Sequence, residues 1–214
     1  MLRRELSLHL TRLLLLSCYN EEQDKEWNTN GMKNNFAILR NMEKKVYLRA
    51  MEPEDLDFLY KIENDNDVWD IGVTNVPYSR YVLQDYIANA TCDIYTDKQL
   101  RLIVEDNDRK AVGVVDFVEF DPRHRRAELG IVISKEHRSK GYASMAVREM
   151  IGYARRTLGL HQIYAIVDNQ NCKCLNLLRN AGFEDGTTLR HWLYSQEGWR
   201  DAVVMQYFLE KNDR

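Results

Sequence analysis

The sequence predicts a mixed α/β domain with a central twisted mixed sheet flanked by helices. Strand-like and helix-like segments follow one another over residues 46–210 in the order β-α-α-β-β-β-α-β-α-β-β. One predicted strand, residues 128–134, leads through a short basic loop into an amphipathic helix. Of the 214 residues, 44% are hydrophobic and 29% are charged, which is typical of a globular domain of this size.

Residues 1–45 depart from this pattern, and we expect them to form an extension outside the α/β fold, which occupies residues 46–210. Their apolar run, residues 13–16, follows His9 and Arg12, which a signal peptide tolerates poorly. Residues 20–35 are polar and rich in asparagine, as linkers are. An accessory helix docked on the domain is the alternative.

The first half of the domain contains a strand, two helices and a hairpin. Residues 46–49 have the strand pattern, and Pro53 marks the start of the first helix. Ser79 is a good N-cap for the second helix. The β-rich runs 100–105 and 111–120 flank a turn sequence, which predicts a hairpin.

The central helix follows Gly141 and ends at Gly159, the expected C-cap. Its apolar residues recur every three or four positions, as one buried helix face requires; they are Ala143, Ala146, Val147, Met150, Ile151, Ala154 and Leu158. A strand, a short helix and a closing hairpin follow, with predicted bounds 161–167, 171–180, 189–194 and 201–209.

The loop before the central helix has the chemistry of an anion site. Arg138 and Lys140 supply positive charge, and Gly141 has no Cβ to keep a phosphate away from the backbone. The first N–H groups of a helix lack partners inside it and point out of its positive end. The chain contains neither G-x-x-x-x-G-K-[ST] nor G-x-G-x-x-G, so this loop is not a Walker or Rossmann loop.

The spacing Arg138-x-x-Gly141-x-Ala143 resembles the pyrophosphate-binding signature Q/R-x-x-G-x-G/A of the GNAT superfamily of acyl-CoA N-acyltransferases. The order of elements is also that of a GNAT domain, so the resemblance implies the GNAT fold and acetyl-CoA as co-substrate. It further implies that Val132 N–H donates to the thioester oxygen. The implied cofactor contacts are Ile131, Val132, Ile133, Arg138, Ser139, Lys140, Gly141, Tyr142, Ala143, Ser144 and Asn171.

Two groups within the superfamily share further residues with this chain. The segments 115–120, 168–173 and 198–202 are similar to those of bacterial spermidine N-acetyltransferases. Ribosomal-protein N-terminal acetyltransferases share Glu128 with its strand, and Asn171. The resemblance implies direct acetyl transfer to a primary amine, of a polyamine or another small amine. The alternatives are a protein N-terminus or lysine, or a catalytically weak acyl-CoA-binding module.

Two features of the sequence depart from the spermidine acetyltransferase pattern. Those enzymes usually carry a tyrosine, thought to protonate the departing thiolate, where this chain has Leu178. They also carry acidic residues before a Pro-Tyr pair, where this chain has Thr74, Asn75 and Val76. Tyr142, Cys174 and water remain as candidate proton donors.

The reaction also needs a base, because an alkylamine with a pKa near about 10 is mostly an ammonium ion at neutral pH. Glu128 and Glu119 are the candidate bases, acting through water, with Asp116 behind them. Glu119 and Asp116 could instead attract a cationic acceptor. An ion pair with Arg125 or Arg126 is the alternative role for Glu128.

Charge and composition narrow the range of partners. The net charge of −3 and the absence of a membrane-length apolar run indicate neither nucleic acid nor a membrane as partner. The four cysteines form no zinc motif and no disulfide framework, so we expect no metal and a reducing cytoplasm. A homo-oligomer stays an open alternative.

Overall fold

The structure, a computed structural model, describes residues 44–65, 76–91, 93–195 and 198–209. The strands described there form one seven-stranded sheet in the order β1-β2-β3-β4-β5-β7-β6. They are β1 (Tyr47–Arg49), β2 (Leu100–Glu105), β3 (Ala111–Asp121), β4 (Arg126–Ile133), β5 (Gln162–Asp168), β6 (Glu184–Ser195) and β7 (Gly198–Phe208). Only β4 and β5 pair in parallel among these strands, so the predicted mixed sheet is confirmed.

Helices cover both faces of this sheet. They are α1 (Leu56–Glu63), α2 (Arg80–Ala88), α3 (Ile94–Asp97), α4 (Tyr142–Tyr153) and α5 (Cys172–Asn180). Single 3₁₀ turns, Pro53–Asp55 and Lys135–His137, precede α1 and α4, and α4 continues into a π-helical turn, Ala154–Leu158. The predicted order of elements is confirmed. Helix α3 was not predicted, because four residues are too few to show a helical period.

The predicted helix ends are confirmed where a side chain or a glycine marks them. Ser79 Oγ accepts a hydrogen bond from Val82 N–H at 3.2 Å, as an N-cap should. Gly159 ends the α4 segment in the left-handed conformation, with φ of 58°. The closing hairpin is longer than predicted, because β6 begins at Glu184 rather than at residue 189.

The two faces of the sheet bury separate apolar clusters. On the α4/α5 face, Ala146, Val147, Met150 and Ile151 of α4 and Ala154 of the π-helical turn pack with α5 and with alternate residues of β4 and β5. On the α1/α2 face, Leu59, Ile62 and Leu83 pack against Ile103, Val114 and Val132. Successive side chains of a strand point to opposite faces of the sheet. A strand residue whose neighbours belong to one cluster therefore points to the face of the other cluster.

The predicted N-terminal extension falls almost wholly outside the described residues. Lys45 is described, and its backbone N–H donates to Asn107 Oδ1 at 2.8 Å, next to the β2–β3 turn. The boundary at residue 46 therefore stays a prediction. In the described part of the chain, no helix has both the length and the apolar character to cross a membrane.

Candidate active site

Strands β4 and β5 diverge after a very short contact. They pair through Arg126 with Gln162, Ala127 with Ile163, and Glu128 with Tyr164. No later residue of β4 pairs with β5 in the described sheet, although β4 continues to Ile133. Strand β3 pairs with the other edge of β4 as far as Ile133, so a gap opens along β4 from Leu129 onward.

The backbone of β4 presents hydrogen-bonding groups to this gap. Ser134 N–H donates to Val112 O at 2.9 Å, so residue 134 faces β3. Backbone groups of successive strand residues point to opposite edges. The N–H groups of Leu129, Ile131 and Ile133 therefore face the gap, and Ile133 O, which accepts from Arg138 Nε at 3.1 Å, lies on the same side.

Val132 faces the opposite edge, which corrects its implied role as donor to the thioester oxygen. A Cβ built on Gly113 of β3 would lie 2.5 Å from Val132 O, so this carbonyl points into the β3–β4 ladder. The N–H group of an extended residue points to the same edge as its carbonyl. A donor to a thioester in the gap must come from an odd-numbered neighbour, Leu129 or Ile131.

The N-terminus of α4 lies directly after β4 and one 3₁₀ turn. Gly141 is its N-cap, with φ of 88°, and a Cβ there would meet no atom of the described residues within 4 Å, apart from its own chain neighbours and helix backbone. The first-turn residues Tyr142, Ala143 and Ser144 contribute N–H groups that have no acceptor within the helix. A helix N-terminus of this kind suits a phosphate, and phosphate binding at this loop stays a prediction.

Side-chain contacts hold this loop in shape. Arg138 donates to Ile133 O, and its Nη2 lies 3.3 Å from Asp65 Oδ2, with only 9% of the side chain exposed. Lys140 Nζ donates to Glu136 O at 2.6 Å. Ser139 has a left-handed backbone, with φ of 60°. Arg138 and Lys140 thus shape the loop, and their direct contact with a phosphate stays a prediction.

Asn171 occupies the other predicted cofactor position. It is the N-cap of α5, is 7% exposed, and accepts a hydrogen bond from Cys174 N–H at 3.0 Å through Oδ1. This contact confirms a capping role. Contact of Asn171 with the cofactor stays a prediction.

Glu128 lies on the α1/α2 face at the point where the gap begins. Its neighbours Ala127 and Leu129 belong to the α4/α5 cluster, so its side chain takes the other face and is 7% exposed. Arg125 donates to Gly159 O, and Arg126 lies 3.7 Å from Asp121. An ion pair of Glu128 with either arginine stays the alternative role. This position is consistent with a base beside the thioester.

The other two carboxylates have different environments. Glu119 lies in a bulge of β3 between Val118, the partner of Glu128, and Asp121. It is exposed and has a left-handed backbone, with φ of 48°. Asp116 is fully buried, and Arg101 binds both of its oxygens at 2.9 and 3.1 Å. Asp116 therefore cannot contact an acceptor directly.

Arg101 also binds a second buried carboxylate. Its Nη1 donates to Glu63 Oε1 at 2.8 Å, and the side chains of Arg101 and Glu63 are each 1% exposed. The guanidinium lies 5.6 Å from the ring centre of Tyr86. This cluster connects α1, α2, β2 and β3 behind the candidate site.

Two buried carboxylates, Glu63 and Asp116, share the guanidinium of Arg101. Burial raises the pKa of Glu63 to about 7, against the attraction of Arg101 and with repulsion from Asp116. Burial raises the pKa of Asp116 to about 6. Because Asp116 has the bidentate contact, we expect the cluster to take up its first proton at Glu63.

This protonation predicts a pH dependence of stability. Between pH 4.5 and about 7 the folded chain holds a proton on Glu63 that the unfolded chain releases. Stability from this proton is therefore complete below pH 4.5 and is lost as pH rises to about 7. We expect the free energy of unfolding, wild type minus Glu63→Gln, to fall by roughly 2 kcal/mol over that range.

Urea unfolding at several pH values measures this difference, and Glu136→Gln is the control. Lys61 holds the pKa of the exposed Glu136 below its usual value of 4.5. The contribution of Glu136 to stability is therefore lost only as pH falls below that value, outside the range tested. A difference for Glu63→Gln that stays constant from pH 4.5 to 7 would contradict the prediction.

The environments of Tyr142 and Cys174 disfavour proton donation to a thiolate, and water stays a candidate donor. Burial, with Asp106 and Asp108 nearby, raises the pKa of Tyr142, and Cys174 is 1% exposed. Leu178 is fully buried in the α4/α5 cluster. Tyr164 carries no local sequence signal of a role in the site, because only the pairing of β4 with β5 places it opposite Glu128. Thr74 and Asn75 lie outside the described residues.

A strand with one unpaired edge in the described sheet, leading into a helix N-terminus with a glycine N-cap, is the arrangement expected of an acyl-CoA acyltransferase. The chain belongs to the GNAT family, because the family described as "Acetyltransferase (GNAT) domain" matches residues 45–184. Spermidine N(1)-acetyltransferase of Escherichia coli strain K12 is 34% identical over 164 residues, 76% of this chain and 86% of that protein. The Vibrio cholerae protein of the same name is 31% identical over 176 residues, covering 80% and 100%.

Solved structures of spermidine N-acetyltransferases are also similar to this chain. Spermidine N-acetyltransferase from Vibrio cholerae in complex with CoA and spermine matches with a TM-score of 0.69 and 28% identity, covering 77% of this chain and 95% of that one. A dodecameric structure of the Vibrio cholerae protein matches with a TM-score of 0.66, also at 28% identity, covering 77% and 94%. The predicted family, GNAT fold and acetyltransferase class are confirmed.

Proposed function

We propose that this acetyltransferase moves the acetyl group of acetyl-CoA directly to a primary amine of a polyamine or another small amine. The observation that carries this proposal is the open edge of β4. It connects the N-terminus of α4, beside Gly141, with the carboxylate of Glu128. An extended pantetheine arm can bond to such an edge while its pyrophosphate contacts the helix N-terminus.

Each part of the site then has one task. The first-turn N–H groups of α4 and the loop cations bind the pyrophosphate. Leu129 or Ile131 N–H donates to the acetyl oxygen, where negative charge develops during attack. Glu128 takes the proton that the ammonium must lose before its nitrogen can attack.

Two kinds of observation support a small cationic acceptor. Glu128 pairs with Val118, the residue before Glu119, so the two glutamates lie at the same end of the β3–β4 ladder. The carboxylate of each can attract an ammonium group. The relatives named for spermidine acetylation match this chain over most of their length. A CoA and spermine complex is also among the similar structures.

Release of CoA thiol from acetyl-CoA tests the proposal, with spermidine, spermine, diamines, and peptides with free N-termini as acceptors. We expect the highest kcat/KM with a polyamine. Turnover of peptides alone would contradict the small-amine acceptor and favour a protein N-terminus. Tight acetyl-CoA binding without turnover of any amine would favour a binding module.

Assembly and location are part of the same proposal. A dodecameric relative supports a homo-oligomer, and the β6–β7 hairpin exposes Trp192 by 52% and Trp199 by 62%. Light scattering on the same preparation measures the assembly. The free thiols of Cys172 and Cys174 are consistent with a reducing cytoplasm. We propose no metal, and the described residues contain no cluster of three metal-ligating side chains.

A further inference from the structure

We propose that Tyr164 donates the proton to the departing CoA thiolate, a task that Leu178 cannot perform. This inference rests on the acetyl transfer proposed above, but not on the identity of the amine. It identifies a catalytic residue on β5, across the gap from the strand edge that binds the cofactor.

The pairing of β4 with β5 puts the Tyr164 and Glu128 side chains side by side. They form the last pair before the strands diverge. Neighbouring residues of Tyr164, Ile163 and Ala165, are fully buried in the α4/α5 cluster, so the phenol takes the α1/α2 face, as Glu128 does. Paired strands lie about 4.8 Å apart, so the two side chains start as close neighbours.

Tyr164 also lies at the end of the gap where a thioester sulfur would be. Tyr164 is only half-buried, whereas Leu178 and Cys174 belong to the α4/α5 cluster. A thioester lying along β4 ends where the gap closes, which is at the Glu128–Tyr164 pair. Its sulfur is then open to a hydroxyl from the α1/α2 face, opposite the face that holds Leu178.

The proposed step balances in atoms and charge. Glu128 first takes one proton from the ammonium through water and releases it to solvent. The neutral amine nitrogen then forms a bond to the acetyl carbon, and Glu128 takes the second nitrogen proton through water. The carbon–sulfur bond breaks, its electron pair stays on sulfur, and the sulfur takes the proton of the Tyr164 hydroxyl. The protonated Glu128 then returns its proton to the phenolate, which is strongly downhill, since a carboxyl pKa is about 4 and a phenol pKa about 10.

The test compares Tyr164→Phe with wild type using two acyl donors, acetyl-CoA and its selenium analogue acetyl-seleno-CoA. A selenolate is a weaker base than a thiolate and leaves without a proton. With acetyl-CoA we expect kcat to fall about 100-fold or more, the range typical of a lost general acid, while KM changes little. With the selenoester the two proteins should differ less than about threefold, because no proton is needed at this step.

Tyr207→Phe is the matched control. Tyr207 lies on β7 opposite Ile163, and it packs on the α4/α5 face against Phe183. It should retain wild-type kcat with both donors. An equal loss for Tyr164→Phe with both donors would mean a structural role and overturn the inference, as would unchanged kcat with acetyl-CoA. The assay uses any amine that wild type acetylates, so a wrong acceptor shows in wild type and a wrong proton donor only in the variant.

Discussion

Replacing Gly141 by leucine is expected to weaken acetyl-CoA binding by about 100-fold or more, which is about 2.7 kcal/mol. The Cβ of residue 141 would enter the space in front of the α4 N-terminus, where it would meet no described residue outside this loop and helix within 4 Å. A side chain there occupies the volume that a pyrophosphate needs and blocks its approach to the helix N–H groups. Isothermal titration with acetyl-CoA measures the loss.

Gly159→Leu is the control that separates lost binding from backbone strain. Gly141 and Gly159 bound the same helical segment, and both have positive φ, at 88° and 58°. A side chain strains the backbone at either position. Only Gly141 lies at the anion end of the helix, so Gly159→Leu should lower Tm and keep the acetyl-CoA affinity. If Gly141→Leu and Gly159→Leu have equal affinity for acetyl-CoA, the pyrophosphate site lies elsewhere.

The second large effect is expected for Arg101→Met, which should destabilise the fold by about 3–5 kcal/mol near pH 8. The substitution keeps most of the side-chain volume but leaves Glu63 and Asp116 buried without their cation. The loss should shrink at pH 5, because both carboxyl groups have raised pKa values and take up protons there. Urea unfolding at the two pH values measures both effects.

Arg49→Met is the matched control, because Arg49 also bridges two carboxylates, Asp55 and Glu105. Arg49 is 32% exposed, so water can solvate the carboxylates after its removal, and we expect less than half the loss. A triple variant, Arg101→Met with Glu63→Gln and Asp116→Asn, should recover part of the stability. If Arg101→Met and Arg49→Met lose the same amount, burial does not determine the energetics of the Arg101 cluster.

Local signals in the sequence predicted the parts of the fold that depend on neighbouring residues. The apolar period of α4, the Ser79 cap and Gly141 each act within one or two helical turns, so their structural consequences are visible in a short stretch. The same holds for the resemblance at Arg138 and Gly141, which identified the family before the three-dimensional arrangement was known.

Features that depend on strand register could not be predicted in this way. Arg101 lies 15 residues before Asp116, and only the pairing of β2 with β3 brings them together. The edge of β4 to which Val132 N–H points depends on the register of β4 with β3. A shift of that register by one residue would turn the group to the other edge. Tyr164 was missed for the same reason, since its function requires a partner on another strand.

The three-residue contact between β4 and β5 also has a consequence for how the chain folds. Strands β2, β3 and β4 are consecutive hairpin neighbours, whereas the β4–β5 contact requires the α4 crossover to form first. Closing such a crossover loses chain entropy, and three residue pairs offset little of that loss. We expect the hairpin strands to form early and the two parts of the sheet to join late, so that the cofactor gap is completed in the last stage of folding.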